Sequence, residues 1–495
     1  MAVALPPPVA PAPVPVAEIR RHAAAVRYPF GAHTLNLLGF NAIDRDVLDR
    51  LVGHARSADE VVVALAHLAQ ASEGLAAQVV YAVDGRHVYI MVVQRRVRDV
   101  RGDPELRRFF TAALDDGHIE RDSFERGRVL ASAYSERARV IVQPRFVDAP
   151  GGALDLDLRA DADPGGDRFT TSVEFNNHGS RFAGRNLVAL DLTGNSAGGM
   201  QGRVQVKTAP SALNDAEAGG EFLEGDVQLN TIGPAGVAGL TARRIDFSAD
   251  TGHFVLGGWY QEFGLEWSNV LSAEAASRFM LRVRGAYSDR ESERESDGRS
   301  LFAERYTLAE LTPSYAVSLG FGRFDAALSV VGAWASEQYN SSAAERFQVV
   351  RPIMRLRWEQ GGGAALTVTA AGQWASDTVA EAQQWTLGGH GSLSGYTPAA
   401  LVGDRGMLLR IGEGAEWRLR NGWSLNGEAF AEHGRAEPVG AAGAEPVDAT
   451  HAGVSAGVSW RRRLRLAVSA ARPLDGPEIA DDALADFYGT LRLSF

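Results

Sequence analysis

An all-β transmembrane barrel of about 16 antiparallel strands, with two small α/β modules ahead of it, is the fold class this sequence predicts. Three observations carry that expectation. From Asp167 onward polarity alternates with period two: Phe169, Thr171, Val173 and Phe175 interleave with Thr170, Ser172 and Glu174, and Leu366, Val368, Ala370, Gly372 and Trp374 interleave with Thr367, Thr369, Ala371 and Gln373. A barrel wall requires this, because successive strand residues face lipid and lumen in turn. Connection lengths also alternate. Tight turns at Gly233-Pro234-Ala235-Gly236, Gly320-Phe321-Gly322, Gly361-Gly362-Gly363 and Asn421-Gly422 contrast with long polar stretches at 289–300, 338–346, 436–451 and 474–486. Outer-membrane barrels have short periplasmic turns and longer extracellular loops. Finally, the chain closes on an aromatic residue, with Phe487, Leu491, Leu493 and Phe495 on one face of a terminal strand.

Composition agrees with a barrel. With 54 Gly among 495 residues, 45% hydrophobic residues and a mean hydropathy of −0.13, the chain is too polar for a bundle of membrane helices, and no apolar run is long enough to span a bilayer as one. Barrels escape hydropathy scans because half of each strand is polar. The chain has no cysteine, which excludes a disulfide framework, a thiol enzyme and cysteine metal sites. A net charge of −11 does not suit a nucleic-acid partner, since neutralising phosphates needs a clustered basic surface. Met1 is followed by Ala2-Val3-Ala4-Leu5 and prolines, with no basic n-region or apolar h-region, so a secretion signal is expected to have been removed from this numbering.

Taken in order, residues 1–29 hold Pro6, Pro7, Pro8, Pro11, Pro13 and Pro15, which favour an extended tether, then a short basic helix from residue 17 to about 26 with Arg20, Arg21 and His22. Residues 30–98 read as one module of the order strand, helix, helix, strand, strand. Its second helix opens on a capping box, Ser57-Ala58-Asp59-Glu60, and buries Val61, Ala64, Leu65 and Leu68. Its last two strands, 78–83 and 87–94, turn through Asp84-Gly85. Residues 99–163 repeat the plan, with helices over 104–114 and 122–134 and strands over 139–147 and 153–159. The barrel fills 164–495.

In the barrel an arginine facing lipid at mid-membrane costs about 2–4 kcal/mol. Arg282, Arg284, Arg355, Arg357 and Arg465 are therefore expected to face the lumen. Trp259, Tyr260, Trp267, Trp334, Trp358 and Trp374 are expected in interfacial girdles. The run Asp289-Arg290-Glu291-Ser292-Glu293-Arg294-Glu295 reads as a solvated extracellular loop. The glycines around residue 390 do not lead into Lys-Ser/Thr and a helix, so they are not a phosphate cradle. The histidines are scattered without metal spacing, and no catalytic or cofactor-binding constellation stands out.

The connection before the twelfth strand reads Leu387-Gly388-Gly389-His390-Gly391-Ser392-Leu393-Ser394-Gly395-Tyr396, followed by Gly403-Asp404-Arg405-Gly406-Met407-Leu408-Leu409-Arg410. This resembles the haemolysin secretion/activation family, the outer-membrane transporters of two-partner secretion. There a long loop at this place carries a Gly-Gly, a Val-Arg-Gly-Tyr/Phe tetrad and a Gly-Asp-x-Gly, and folds back into the pore. Leu393-Ser394-Gly395-Tyr396 matches the tetrad except at its first position and at its arginine, which here is Ser394. Asn176-Asn177-His178-Gly179-Ser180-Arg181 looks like the family's first barrel hairpin. Phe124-Glu125-Arg126 and Gln143-Pro144-Arg145 look like its second polypeptide-transport-associated (POTRA) module, and Phe430-Ala431-Glu432-His433-Gly434-Arg435 resembles its Phe-x-Asp-x-Gly wall strand.

The resemblance implies two POTRA modules in the periplasm and a monomeric barrel in the outer-membrane lipid, its pore loop spanning 377–406. The loop would carry Gly388, Gly389, Leu393, Ser394, Gly395, Tyr396 and Asp404, and Phe430, Glu432 and Gly434 would face it from the wall. It implies transport of an unfolded exoprotein captured in the periplasm, with no cofactor, and a terminal segment read by the barrel assembly machinery. An assembly factor of the same superfamily and a porin-like diffusion channel are the rival readings. With Ser394 in place of the family arginine, the loop can offer Glu432 only a hydroxyl, unless Arg405 or a wall arginine such as Arg410 takes over the charge. The sequence does not choose between them.

Overall fold

The computed structural model describes residues 26–495 apart from 41–43, 56, 73–74, 164–166, 181–183, 215–220, 251–253, 440–444, 462, 480–483 and 486. The expected tether and basic helix lie outside the described residues, save Val26, which opens a strand instead. Two compact units are present, Met1–Gly166 with Ser272–Ala275, and Asp167–Leu271 with Ala276–Phe495.

Among the described residues, the first unit contains two main sheets and one two-stranded hairpin. β1 (Val26–Phe30) and β2 (His33–Leu38) form a hairpin, α1 (Arg45–His54) and α2 (Ala58–Ser72) follow, and β3 (Ala77–Asp84) and β4 (His87–Gln94) complete a sheet of order β1-β2-β4-β3. Local chemistry starts both helices: Asp44 accepts from the Asp46 amide at 3.0 Å, and the Ser57 hydroxyl accepts from the Glu60 amide at 3.2 Å. Leu35, Leu37, Leu48, Val61, Leu65, Val79 and Ile90 form the core between helices and sheet. The strand β1 was not anticipated, because its five residues carry too short an alternation to stand out.

In the second sheet, β5 (Val97–Gly102) runs parallel to β9 (Leu154–Ala162), which pairs with β8 (Val140–Asp148). Between them lie α3 (Pro104–Phe110), a small hairpin of β6 (Leu114–Asp115) and β7 (His118–Ile119), and α4 (Arg121–Ala138). The expected boundary at residues 98 and 99 falls inside β5, whose pairing assigns that strand to the second sheet. The reason lies in charge placement: Asp155 of β9 is buried and takes Arg98 at 2.8 Å and Arg101 at 2.9 Å, both from β5. β3 and β8 are edge strands of their sheets.

The second unit is a closed antiparallel barrel of β10–β20 and β23–β27. Its strands are β10 (Phe169–Asn176), β11 (Leu187–Asn195), β12 (Gln201–Thr208), β13 (Glu221–Gly233), β14 (Gly236–Asp250), β15 (Val255–Ala273), β16 (Ser277–Arg294), β17 (Arg299–Leu319), β18 (Gly322–Tyr339), β19 (Arg346–Gly361), β20 (Ala364–Ala375), β23 (Arg405–Arg418), β24 (Trp423–Glu437), β25 (Val447–Trp460), β26 (Leu464–Asp475) and β27 (Tyr488–Ser494). Closure is made by β10 and β27, with Val173 opposite Leu493 and Phe175 opposite Leu491. All four predicted tight turns join adjacent strands. The stretch expected as a loop at 289–300 shrinks to 295–298, because β16 and β17 continue pairing as far as Arg294 and Arg299. Ion pairs sustain that charged extension, among them Arg305 with Asp289 at 3.1 Å.

One face of the wall is apolar and exposed, as at Phe263, Leu265, Met354 and Trp358. The other carries ion pairs such as Arg243 with Glu224 at 2.6 Å and Arg282 with Glu310 at 2.6 Å, and Arg284 pairs with Glu262. Strand alternation puts Tyr260 on this second face, where it donates to Glu262 at 3.0 Å. It is therefore no girdle residue, since its neighbour Trp259 must point the opposite way.

Candidate functional site: a loop seated against the barrel wall

Between β20 and β23 the chain leaves the wall over residues 376–404. Two short strands, β21 (Trp385–Leu387) and β22 (Leu401–Gly403), pair as a stem with Leu387 opposite Leu401. The tip is folded by its own backbone. The Gly388 amide donates to the Ser392 carbonyl at 2.8 Å, the Gly389 amide to Tyr396 at 2.9 Å and the Tyr396 amide to Leu393 at 2.9 Å. Leu387, Leu393, Tyr396 and Leu401 are buried with Ala436 of β24 and Ala449 of β25, so the tip seats on the wall through an apolar patch. Gly434 makes room for it: a Cβ there would lie 2.9 Å from Leu387 Cδ1 and 3.1 Å from Leu393 Cδ1.

At the centre of this seat is Glu432, whose side chain is fully buried. It accepts from the Ser394 amide at 2.6 Å and from the Ser394 hydroxyl at 3.0 Å, and it pairs with Arg410 of β23. Arg410 also pairs with Glu428 at 2.8 Å and lies 3.9 Å from the centre of the Phe430 ring. Arg405, the other candidate, donates instead to the Ala375 carbonyl at 2.8 Å. The charge that the loop lacks at Ser394 is therefore supplied by the wall. Burying a carboxylate without a counter-charge costs several kcal/mol, and Arg410 supplies that counter-charge to Glu432.

The base of the loop is held separately. Asp404 accepts from the Val379 amide at 2.8 Å and from the Val439 amide at 2.7 Å, tying both its own loop and the next connection to one carboxylate. Val379 and Ala380 pack against Tyr306, Val331, Phe347 and Val349 of the wall.

One residue that the sequence reading left without a role, His390, lies at the tip. His390 contacts the Ser469 hydroxyl at 3.0 Å and stacks on His178 with centroids 5.0 Å apart; His178 in turn contacts Thr490 at 3.2 Å. Burial, followed by the neighbouring His390 and Lys207, pushes His178 down to about 4. Burial and then Arg410 push His390 below the ordinary histidine range. Tyr488 donates to the Tyr396 carbonyl at 2.5 Å. Chain spacing hid these contacts, since the partners are far apart in sequence. Arg410 did carry a signal: it and Glu432 lie equally far from Asn421, the tight turn that sets their strands in register.

The remaining predicted residues are placed as follows. Arg282 and Arg284 share a face of β16, and Arg355 and Arg357 share the face of Thr369 and Thr367 on β20; Arg355 and Thr369 stand in the same register row as Arg410 and Glu432, and Arg357 and Thr367 in that of Gly412 and Phe430. Arg465 lies opposite Ser459 and Arg492. Phe487, Leu491, Leu493 and Phe495 are exposed on the apolar face, alternating with the buried Tyr488.

A closed 16-stranded barrel with a long loop seated against its own wall has the architecture of an outer-membrane transporter. The chain belongs to the Haemolysin secretion/activation protein ShlB/FhaC/HecB family, whose profile matches residues 157–459, more than half its length. It is thus a two-partner secretion translocator, of a transporter family rather than an enzyme family. CdiB from Escherichia coli has a similar fold, with a TM-score of 0.73 at 14% identity over 99% of this chain and 94% of that one. CdiB from Acinetobacter baumannii follows at 0.64 and 12% identity, over 93% and 89%. No curated protein matches the sequence.

Proposed function

We propose that residues 30–163 form two POTRA modules in the periplasm that capture an unfolded exoprotein, which then crosses the outer membrane through the barrel once the loop leaves its seat. The barrel acts as a monomer and uses no nucleotide hydrolysis. The single observation that carries this reading is the seat itself: a loop lodged by a buried carboxylate that accepts from Ser394 and Arg410 is held firmly, yet can leave without breaking the wall. Capture is by strand addition at the open edges β3 and β8, where main-chain hydrogen bonds give affinity with little sequence demand. The exposed face of Phe487, Leu491, Leu493 and Phe495 serves as the segment that the barrel assembly machinery reads.

The test is secretion of the partner exoprotein from cells carrying the full-length chain. Pinning the loop with a disulfide between engineered cysteines should stop export, and reduction should restore it. Export that continues with the loop pinned would remove the barrel as the route.

A further inference from the structure

Glu432 is not the only wall residue in contact with the tetrad. His451 of β25 is fully buried, and its Nδ1 accepts from the Gly395 amide at 2.9 Å. The Tyr396 ring meets the imidazole edge-on, with centroids 4.3 Å apart and an angle of 88°. Gly395 fits so closely that a Cβ would lie 3.0 Å from His451 Nδ1 and 3.1 Å from Pro473 Cδ. The imidazole therefore holds the tetrad's third and fourth residues, while Glu432 holds the second.

We propose that His451 is a second anchor of the pore loop, which grips the Gly395 amide with its neutral imidazole and so couples release of the loop to uptake of one proton. This rests on the reading of residues 376–404 as the segment that closes the pore. The chemistry is a competition for one lone pair: Nδ1 can accept from the Gly395 N–H or bind a proton, but not both. Because Nδ1 accepts, the neutral ring carries its proton on Nε2, which has no hydrogen-bond partner among the described residues. When the loop departs, the ring is hydrated and titrates near an ordinary value of about 6.5. Protons then bind the released state in preference, and below about pH 6.5 the ratio of lodged to released loop falls by up to roughly tenfold per pH unit on this account.

Other groups surround the ring. Glu432 faces it from β24 and is paired with Arg410 of β23. Pro473 lies opposite on β26, with Asp475 beyond it near Tyr396. The loop contributes the Leu393 carbonyl and Tyr396 itself, and Tyr488 of β27 holds Tyr396 from behind. The stacked His178 and His390 take up protons as well, so the observable specific to His451 is a difference of one proton, not the presence of a pH response.

The experiment is single-channel recording of the full-length protein in planar bilayers between about pH 7.5 and about pH 4.5, with log(open/closed) plotted against pH. Replacing the imidazole by a neutral acceptor that does not titrate, in His451→Asn and His451→Gln, should leave the channel quiet at the upper pH and lower the slope by about one proton. His451→Phe, which fills space without accepting, should open the channel about tenfold or more at the upper pH. An unchanged slope in both acceptor variants, or a His451→Phe channel as quiet as wild type, overturns the proposal. Removing the tip, residues 388–396, separates the two readings. If that deletion leaves conductance unchanged, the closing-loop reading fails; if it opens the pore while His451→Phe does not, only the role of His451 fails.

Discussion

Ser394 donates to Glu432 twice, from its amide at 2.6 Å and from its hydroxyl at 3.0 Å, while the positive charge comes from Arg410 on the neighbouring strand. One of the two bonds is made by the backbone, so any residue at position 394 that keeps the tip fold retains it. The hydroxyl bond alone is worth about 1.5–3 kcal/mol, as for other bonds to a charged acceptor. Loss of Arg410 is more severe, because it leaves a buried carboxylate unneutralised at about 3–5 kcal/mol. Arg410→Gln should therefore raise the open fraction of the channel more than Ser394→Ala does. Bilayer recordings with Ser394→Ala equal to or above Arg410→Gln would contradict this ordering.

Restoring the family arginine does not simply tighten the loop. Ser394 is only 2% exposed and its acceptor is already occupied, so Ser394→Arg must compete with Arg410 for Glu432. The single variant should loosen the seat. Combining it with Arg410→Ser removes the competitor, and the double variant should gate more like wild type than either single one. Double-mutant-cycle coupling of about 1 kcal/mol or more is expected for groups that share a partner. Additive effects would show that the two sites do not meet at Glu432.

The barrel was legible because its constraint is local: each wall residue must suit lipid or lumen, so alternation exposed the strands, and turn glycines exposed their ends. The same alternation, applied residue by residue, would have moved Tyr260 off the girdle, since Trp259 and Tyr260 are adjacent. Contacts across a tight turn were legible in principle, as for Arg410 and Glu432 about Asn421. Contacts from the loop to β25, β26 and β27 were not, because long connections precede or follow those strands and no spacing fixes which residues meet. Strand β5 was missed for another reason: its partner β9 lies beyond two helices, and parallel pairing leaves no turn to mark it.

Acid should weaken the seat through His178 and His390 as well. His178 is half-buried and His390, though exposed at one side, stacks on it; both are held below the ordinary histidine range, His178 down to about 4, so the released or unfolded state binds protons more readily than the seated one. The contribution is intact above the ordinary histidine value of about 6.5 and is lost as pH falls toward about 4. Protease nicking of the loop in detergent-extracted protein should rise over that window, and His178→Gln with His390→Gln should flatten the rise. A profile unaltered by the double change would assign the acid response to other groups.

In the first unit, the test concerns Asp155, whose side chain is 1% exposed and is neutralised by Arg98 and Arg101 of the parallel strand β5. Asp155→Asn keeps the shape and one acceptor oxygen but removes the charge that neutralises Arg98 and Arg101, leaving Arg101 only Asp99 at 3.7 Å as an ion-pair partner. Breaking one side of a buried pair costs about 3–5 kcal/mol, discounted here because Arg98 and Arg101 are 38% and 51% exposed and can turn to water. The loss should fall on β5 and β9, seen as faster amide exchange across 97–102 and 154–162 in the full-length protein, while β3 and β4 exchange as before. Equal acceleration in both sheets would mean that they unfold as one cooperative unit, and unchanged exchange in β5 would mean that backbone pairing alone keeps the strand in the second sheet.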